Sequence, residues 1–422
     1  MKAGRIVLSL VGAALIGGTT TSAEARSLAK QVDSFFGPGG LALDVRHADP
    51  TIPPHTAHFS SSTLTTLGLL IEQFVPQAAD FPAISMAPGL TFRYDAQAQL
   101  FERVASSLGP VFVERAQTLG QGNFELGVSY LFIDFDQLDG NDLDRIGFTA
   151  HHSPDPISGN DTATVRFERF TLQSHVASFF TTYGVTDRWD VNFLLPLVST
   201  YWSMRSRAHL DNESGPPHFF DDHSTERMFS AHDDKTGFGD LQVRTKYHLV
   251  RSELFNLASG LALRVPTGEE ENFQGIGNTT LNTFLALSQA YGRFHAHLST
   301  GIEINFDHSD RSRVRYAGGV MFGVIEQLAL TVDVVGSSNL TGARISAAVP
   351  KFDETTSMTS LPIPSGFTRV AQTLRTDIVD LAVGVQVNLL RSVTGFVTVF
   401  LPLTDDGLRS DLIPAAGLEG SF

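Results

Sequence analysis

From about residue 88 to the end of the chain, apolar and polar side chains alternate with a period of two, the spacing of strands that show one face to an apolar environment. In 237–249, Gly239, Leu241, Val243, Thr245, Tyr247 and Leu249 alternate with Phe238, Asp240, Gln242, Arg244, Lys246 and His248. In 293–306, Phe294, Ala296, Leu298, Thr300, Ile302, Ile304 and Phe306 alternate with His295, His297, Ser299, Gly301, Glu303 and Asn305. In 123–135, Phe124, Leu126, Val128, Tyr130 and Phe132 share one face. Further strands are predicted over 165–183, 189–203, 255–266, 279–291, 314–324, 328–337, 377–389, 393–401 and 410–422, with weaker ones over 90–99 and 111–118. That makes about fourteen, an even number of the kind single-chain bacterial barrels use. A soluble sandwich also alternates, but its polar face is rarely so dense in charge. An apolar outside around a charged inside fits lipid around a wet interior.

The connections sort by length. Short turns fall at 184–188, 250–253, 291–292, 325–327 and 390–392, and longer polar loops at 136–161, 205–236, 268–278, 307–313, 338–376 and 404–409. From residue 123 onward long and short alternate, as in barrels with short periplasmic turns and long extracellular loops. The expected fold is therefore all-β: a transmembrane antiparallel up-and-down β-barrel of about 12–14 strands over 88–422. The last stretch, 412–422, places Leu412, Pro414, Ala416, Leu418, Gly420 and Phe422 on one face. A strand ending on Phe422 resembles the closing strand of bacterial outer-membrane barrels, whose final aromatic sits in the interfacial girdle.

The N-terminal part reads differently. Residues 1–25 carry Lys2 and Arg5, an apolar run over 6–16 and an Ala23-Glu24-Ala25 site, the pattern of a cleaved secretory signal. Residues 26–87 hold short apolar clusters and turn signals, with Leu64, Leu67, Ile71 and Phe74 at helical spacing before Pro76. A partly helical plug or periplasmic cap is expected there. Phe35, Phe36 and Phe74 are its candidate apolar contacts.

Composition narrows the choice of function. No apolar run of about twenty residues follows the leader, so any membrane crossing must use strands. The chain has no cysteine, which removes disulfides, thiolate chemistry and cysteine-held metals. Its formal net charge of −15 argues against nucleic acid as a partner. No cofactor motif is present. The expected location is the outer membrane of a Gram-negative bacterium, with lipid around the barrel.

Several stretches resemble the outer-membrane proteins of the phenol meta-cleavage pathway type. They are Leu108-Gly-Pro-Val-Phe-Val-Glu-Arg-Ala-Gln-Thr-Leu-Gly120, Tyr183-Gly-Val-Thr-Asp-Arg-Trp-Asp190 with Leu195-Pro-Leu197, Gly237-Phe-Gly-Asp-Leu241, Arg264-Val-Pro-Thr-Gly268, and 405–422. The resemblance spans roughly residue 89 to the end. It implies an architecture related to the outer-membrane transporters of fatty acids and aromatic hydrocarbons, which carry an N-terminal hatch. No substrate-binding motif of the family transfers residue by residue.

Candidate interior residues are Asp240, Gln242, Arg244, Lys246, His248, His295, His297, Glu303, Asp380, Gln386 and Asn388, which would line a lumen and set its selectivity. The alternative is that these charges pair across strands and fill the bore. His297 and Ser299, two apart on a strand, are similar to the pair of outer-membrane lipid A deacylases, but here they fall on the inward face. No enzyme is expected on that basis. The 205–236 stretch collects His209, His218, His223 and His232 among carboxylates, at spacings that match no metal motif, so a solvated acidic loop is expected and no metal site is assigned. The functional expectation is a channel for passive uptake of small hydrophobic or aromatic compounds, handed to the membrane by the assembly machinery through its last strand. The alternatives are a structural or surface-interaction barrel working through its acidic loops, and an outer-membrane hydrolase.

Overall fold

The chain was analysed as a computed structural model, which describes residues 27–33, 46–47, 77–82, 84–86, 92–95, 100–103, 112–145, 147–151, 161–212, 217–220, 222–252, 255–341, 343–345, 372–374, 376–390 and 392–422. Phe35, Phe36, Phe74 and the helical spacing that ends at Pro76 lie outside the described residues, as does the leader.

Twelve antiparallel strands close into a barrel. In chain order they are β1 (Phe124–Phe135), β2 (Thr162–Thr186), β3 (Trp189–Asp211), β4 (Leu241–Arg251), β5 (Asn256–Val265) and β6 (Thr280–Tyr291). There follow β7 (Phe294–Asn305), β8 (Arg313–Ile325), β9 (Leu328–Asn339), β10 (Asp377–Leu390), β11 (Val393–Pro402) and β12 (Ile413–Ser421). Each pairs with its neighbour in sequence, and β12 returns to β1 with Ala415 opposite Leu131 and Ser421 opposite Glu125. The seam extends one residue further: Phe124 N–H donates to the Phe422 carbonyl at 2.8 Å and Phe422 N–H to the Phe124 carbonyl at 2.7 Å. Closure leaves no unpaired edge, the condition a sheet must meet in hydrocarbon.

The two faces invert the arrangement of a soluble protein. Leu126, Leu285, Leu298, Ile302, Val332, Val383 and Leu418 are exposed on the outside, while Glu125, Asp190, Arg244, Lys246 and Glu303 are buried inside. Exposed aromatics gather at the short-turn end of the wall: Phe124, Tyr183, Trp189, Tyr247, Tyr291, Phe294 and Phe422. Amphipathic rings at that level form an interfacial girdle. No helix among the described residues is long and apolar enough to cross a membrane.

Two expectations from the sequence need correction. Among the described residues, 112–118 form no strand, and Phe92–Asp95 pairs with Leu100–Arg103 outside the barrel sheet. The fourteen candidates thus reduce to twelve barrel strands. The 205–236 stretch is mostly not a loop: β3 runs on to Asp211, and Glu226–Phe238 pairs with it from His209 down to Leu197. Charged residues on its outer side hid this hairpin, whose inner side packs Met204, Ala208 and Leu210 with Phe229 and Ala231. At 25 residues and about 3.3 Å per residue, β2 is ~80 Å long, whereas about 9–11 residues suffice to cross a bilayer. The acidic run Glu269-Glu270-Glu271 lies in the 268–278 connection. It opens a short 3-10 turn that packs on the helix α1 (Leu28–Asp33), with Lys30 Nζ 2.8 Å from Glu271 Oε1 and Leu28 N–H donating to Asn272 Oδ1 at 3.0 Å.

Non-barrel residues fill the interior. Ile84 and Phe112 pack among Leu131, Val176, Leu194, Phe396 and Phe400 from the wall, Phe112 meeting Phe400 edge-on at 4.7 Å between ring centroids. At the long-loop end Leu28 and Ala78 join Leu143, Trp202, Phe220, Phe273 and Leu408 in a second apolar cluster.

The sidedness of the wall is testable with one substitution at two depths. Val332→Arg, in the middle of β9, is expected to cost about 2–4 kcal/mol of unfolding free energy in lipid vesicles, and Tyr291→Arg, at the girdle, about 0–1 kcal/mol. Equal costs in a urea titration would contradict the assigned membrane position.

Candidate solute site inside the barrel

Described residues before β1 contact the inner wall at levels from the long-loop end to the short-turn end. Leu408 N–H donates to Gln77 Oε1 at 2.6 Å, and Arg264 Nη2 donates to the Ala79 carbonyl at 2.7 Å. Further down, the Arg244 guanidinium reaches the Ile84 carbonyl, and Thr182 Oγ1 donates to the Met86 carbonyl at 2.7 Å. Near the short turns, Ala116 N–H meets Ser288 Oγ at 3.0 Å and Leu119 N–H meets Asp190 Oδ2 at 3.0 Å. There Gly184 sits so close to Gly120 that a Cβ on it would come within 1.8 Å of the Gly120 carbonyl oxygen, so glycine is required.

Two carboxylates from this interior chain meet the basic side of the wall. Asp80 Oδ2 lies 2.6 Å from Arg313 Nη1, and its Oδ1 lies 2.9 Å from Arg315 Nη2 and 3.2 Å from Arg264 Nη1. Glu303 receives Arg313 Nε at 2.7 Å and Arg315 Nε at 2.6 Å, while Arg264 Nε donates to Asp240 at 2.9 Å. Three guanidinium planes are thus each held at Nε by a wall carboxylate and turn their terminal nitrogens toward Asp80. Burial works to raise the Asp80 carboxyl pKa. Arg313, Arg315 and Arg264 outweigh that and hold it well below the usual carboxylate range. The second carboxylate, Glu114, sits 3.7 Å from Arg244 and 3.6 Å from Lys246, and accepts Met86 N–H at 3.0 Å and Ser85 Oγ at 3.2 Å.

Beside the Asp80 cluster lies a cavity of about 160 Å³, bounded by Phe81, Phe112, Phe284 and Tyr316 and by the polar groups of Arg315 and Glu303. Two wall rings sit against glycines of the adjacent strands. A Cβ on Gly260 would stand 2.2 Å from Phe284 Cζ, and one on Gly336 would stand 2.5 Å from Tyr316 Cε2. Glycine at these points leaves room for the rings against the wall.

The residues expected from sequence to line one lumen fall into separate groups. Gln242, Arg244 and Glu303 border the cavity, with Asp240 and Lys246 one contact removed. Asp240 also accepts the Gly268 and Ile276 N–H groups at 3.1 and 2.8 Å, so it pins the loop after β5. His248 contacts Arg251 Nε at 3.0 Å and Asn256 Oδ1 at 3.2 Å, near the short turns. Asn388 also lies at that end, donating to the Glu326 carbonyl at 3.2 Å. His297 pairs with Ser288 Oγ at 3.2 Å, and His295 is half-buried two residues before it on β7. Asp380 pairs with Arg409 toward the long loops, and Gln386 is buried on the inner face of β10. Sequence reasoning missed Arg264, Arg313, Arg315, Glu114 and Asp80. The arginines continue the inward phase of β5 and β8, and Arg313 lies opposite Glu303 in register, a signal present once strand ends are placed correctly. Asp80 has no such signal, because its partners are 184 to 235 residues away.

Among the hairpin histidines, His218 is buried against Asp161 at 2.7 Å and His209 lies 3.7 Å from Glu226. No group of three or more His, Cys, Asp or Glu side chains placed to hold a metal ion occurs among the described residues.

Residues 152–343 match the family described as "Putative MetA-pathway of phenol degradation". No curated protein matches the chain. Similar solved structures include an outer-membrane channel from Pseudomonas putida F1, at 15% identity and TM-score 0.43, over 73% of this chain and 98% of that one. A FadL homologue from Pseudomonas aeruginosa is 11% identical with TM-score 0.32, over 72% and 90%. The toluene transporter of Ralstonia pickettii is 9% identical with TM-score 0.31, again over 72% and 90%.

Because the Asp80 carboxyl titrates below its ordinary value, its contribution is present above about pH 4 and is lost only as pH falls through the lowered value. Acidification from about pH 7 to about pH 5 is therefore expected to leave the interior chain seated, whereas Asp80→Asn loosens it at neutral pH. The absence of native cysteine makes Ser85→Cys a clean reporter, read by its labelling with a water-soluble thiol reagent. Labelling of the otherwise wild-type reporter that rises as fast at the lower pH as in the Asp80→Asn variant would contradict this.

Proposed function

We propose that this chain, which matches the phenol-degradation family over residues 152–343, is an outer-membrane channel for passive uptake of small hydrophobic or aromatic compounds. The observation that carries the reading is the interior chain docked by Asp80 onto Arg264, Arg313 and Arg315 beside an aromatic-walled cavity. A barrel that serves only as a scaffold has no need of a cavity lined by rings set against glycines.

In this reading residues 26–87 begin a plug that continues through the stretch before β1, and the barrel wall follows from Phe124. Residues 1–25 direct export, and the barrel sits in the outer membrane with its short turns toward the periplasm. The strand that pairs through Phe422 presents the barrel to the assembly machinery. Interior residues such as Arg244, Lys246 and Glu303 set which solutes pass once the plug shifts. No nucleotide motif or energy-coupling segment is recognised, so movement follows the solute gradient. His297 and Ser299 face the interior, away from lipid acyl chains, and serve as lining rather than as a hydrolytic pair.

A second reading draws on the hairpin formed by β3 and Glu226–Phe238, which carries charge on its outer side far beyond the membrane. It would make the protein a surface-interaction barrel. Trimming this hairpin should abolish partner binding under that reading and leave solute flux unchanged under the first.

Two measurements test the channel. In planar bilayers the intact protein is expected to be nearly silent and a version lacking 26–87 to conduct. Steady conductance of the intact protein would point to an open porin, and silence of both to a filled bore. A subtler variant is Gly336→Ala, whose added methyl pushes Tyr316 into the cavity. It should lower uptake of a monoaromatic probe into vesicles severalfold while leaving heat-resistant migration on gels intact. Unchanged uptake would remove the cavity from the path.

A further inference from the structure

Glu303 and Asp240 already engage the three arginines at Nε, which leaves terminal N–H groups from three directions converging on one carboxylate position. Asp80 occupies it. Taken without Asp80, the group holds three guanidiniums against the two carboxylates of Asp240 and Glu303, an excess of one positive charge. The position is therefore complementary to a single anion, and planar, forked arginines favour a carboxylate. Next to it the space is apolar and walled by rings, and its volume of about 160 Å³ is close to the roughly 150 Å³ engineered cavity that admits benzene. Asp80, Phe81 and Pro82 lie in no helix or strand, so the residue that fills the anion position is carried on a stretch without regular backbone pairing.

We propose that Asp80 is an internal surrogate for the solute: the site takes a small aromatic monocarboxylate, whose carboxylate replaces Asp80 on Arg313 and Arg315 while its ring lies among Phe81, Phe112, Phe284 and Tyr316. Exchange of one carboxylate for another keeps the buried charge balanced throughout, which neutral hydrocarbons cannot do. The solute thereby releases the segment that blocks its own path. This deepens the channel reading and rests on it.

The test uses the full chain refolded in lipid nanodiscs, with benzoate and toluene as calorimetric probes. Asp80→Asn should bind benzoate at least about tenfold more tightly than wild type, since the internal competitor loses its charge. Adding Arg315→Gln to Asp80→Asn should reverse most of that gain, and Asp80→Glu should retain the weak wild-type affinity. Toluene binding should not respond to any of the three. Equal benzoate affinity in wild type and Asp80→Asn, or an equal gain for toluene, overturns the proposal. Heat-resistant migration on gels confirms that each variant is folded, and Asp80→Glu supplies the charge-retaining comparison should Asp80→Asn fold poorly. Vesicle flux separates the two levels. If no solute enters through the version lacking 26–87, the channel reading falls and this proposal with it. If other solutes enter but benzoate binding ignores Asp80, only this proposal falls.

Discussion

Every feature of the molecule follows from the rule that a backbone in hydrocarbon must satisfy its own hydrogen bonds. A sheet obeys it only by closing, and the seam between β1 and β12, continued by the Phe124–Phe422 pair, is where this chain does so. Closure then dictates the alternation. One side of every strand meets lipid, and the other meets whatever the barrel encloses.

Twelve strands enclose a narrow bore, and most of what fills it comes from outside the wall. Asp80 and Glu114 bring negative charge to Arg264, Arg313, Arg315, Arg244 and Lys246. Taking away one partner of such a buried pair typically costs about 3–5 kcal/mol, because the other charge is left uncompensated. The interior chain is thus held by electrostatics at two levels and by Ile84 and Phe112 in the apolar layer between them. An attachment of this kind is strong against water, yet selective: a group of matching charge and shape competes for it directly.

The barrel was legible in the sequence because a period of two and an alternation of long and short connections are local signals. Each strand from β5 to β11 falls within two residues of its expected bounds, whereas β4 begins at Leu241, four residues inside the expected 237–249. Where the signal failed, the physics had changed. In the 205–236 hairpin Met204, Ala208 and Leu210 pack inward with Phe229 and Ala231 while the other side carries charge, and apolar positions so diluted by charges read as a loop. Residues 111–118 look extended and apolar because Phe112 and Val113 are buried inside the bore rather than paired in the wall. The site was only half legible. Gln242, Arg244 and Glu303 follow from strand phase, but nothing in the sequence around Asp80 announces three arginines from strands far along the chain.

The route of the interior chain bears on how the molecule is made. Residues 27–33 lie at the long-loop end, yet the polypeptide enters β1 at the opposite end, tied there by Asp190 and the close approach of Gly120 to Gly184. Its first strand is therefore both the tether of the internal segment and one lip of the seam. A bore already sealed and packed with Phe180, Phe396 and Phe400 offers little room to thread a peptide through. Joining β12 to β1 closes the wall around a segment that is tied to it at both ends.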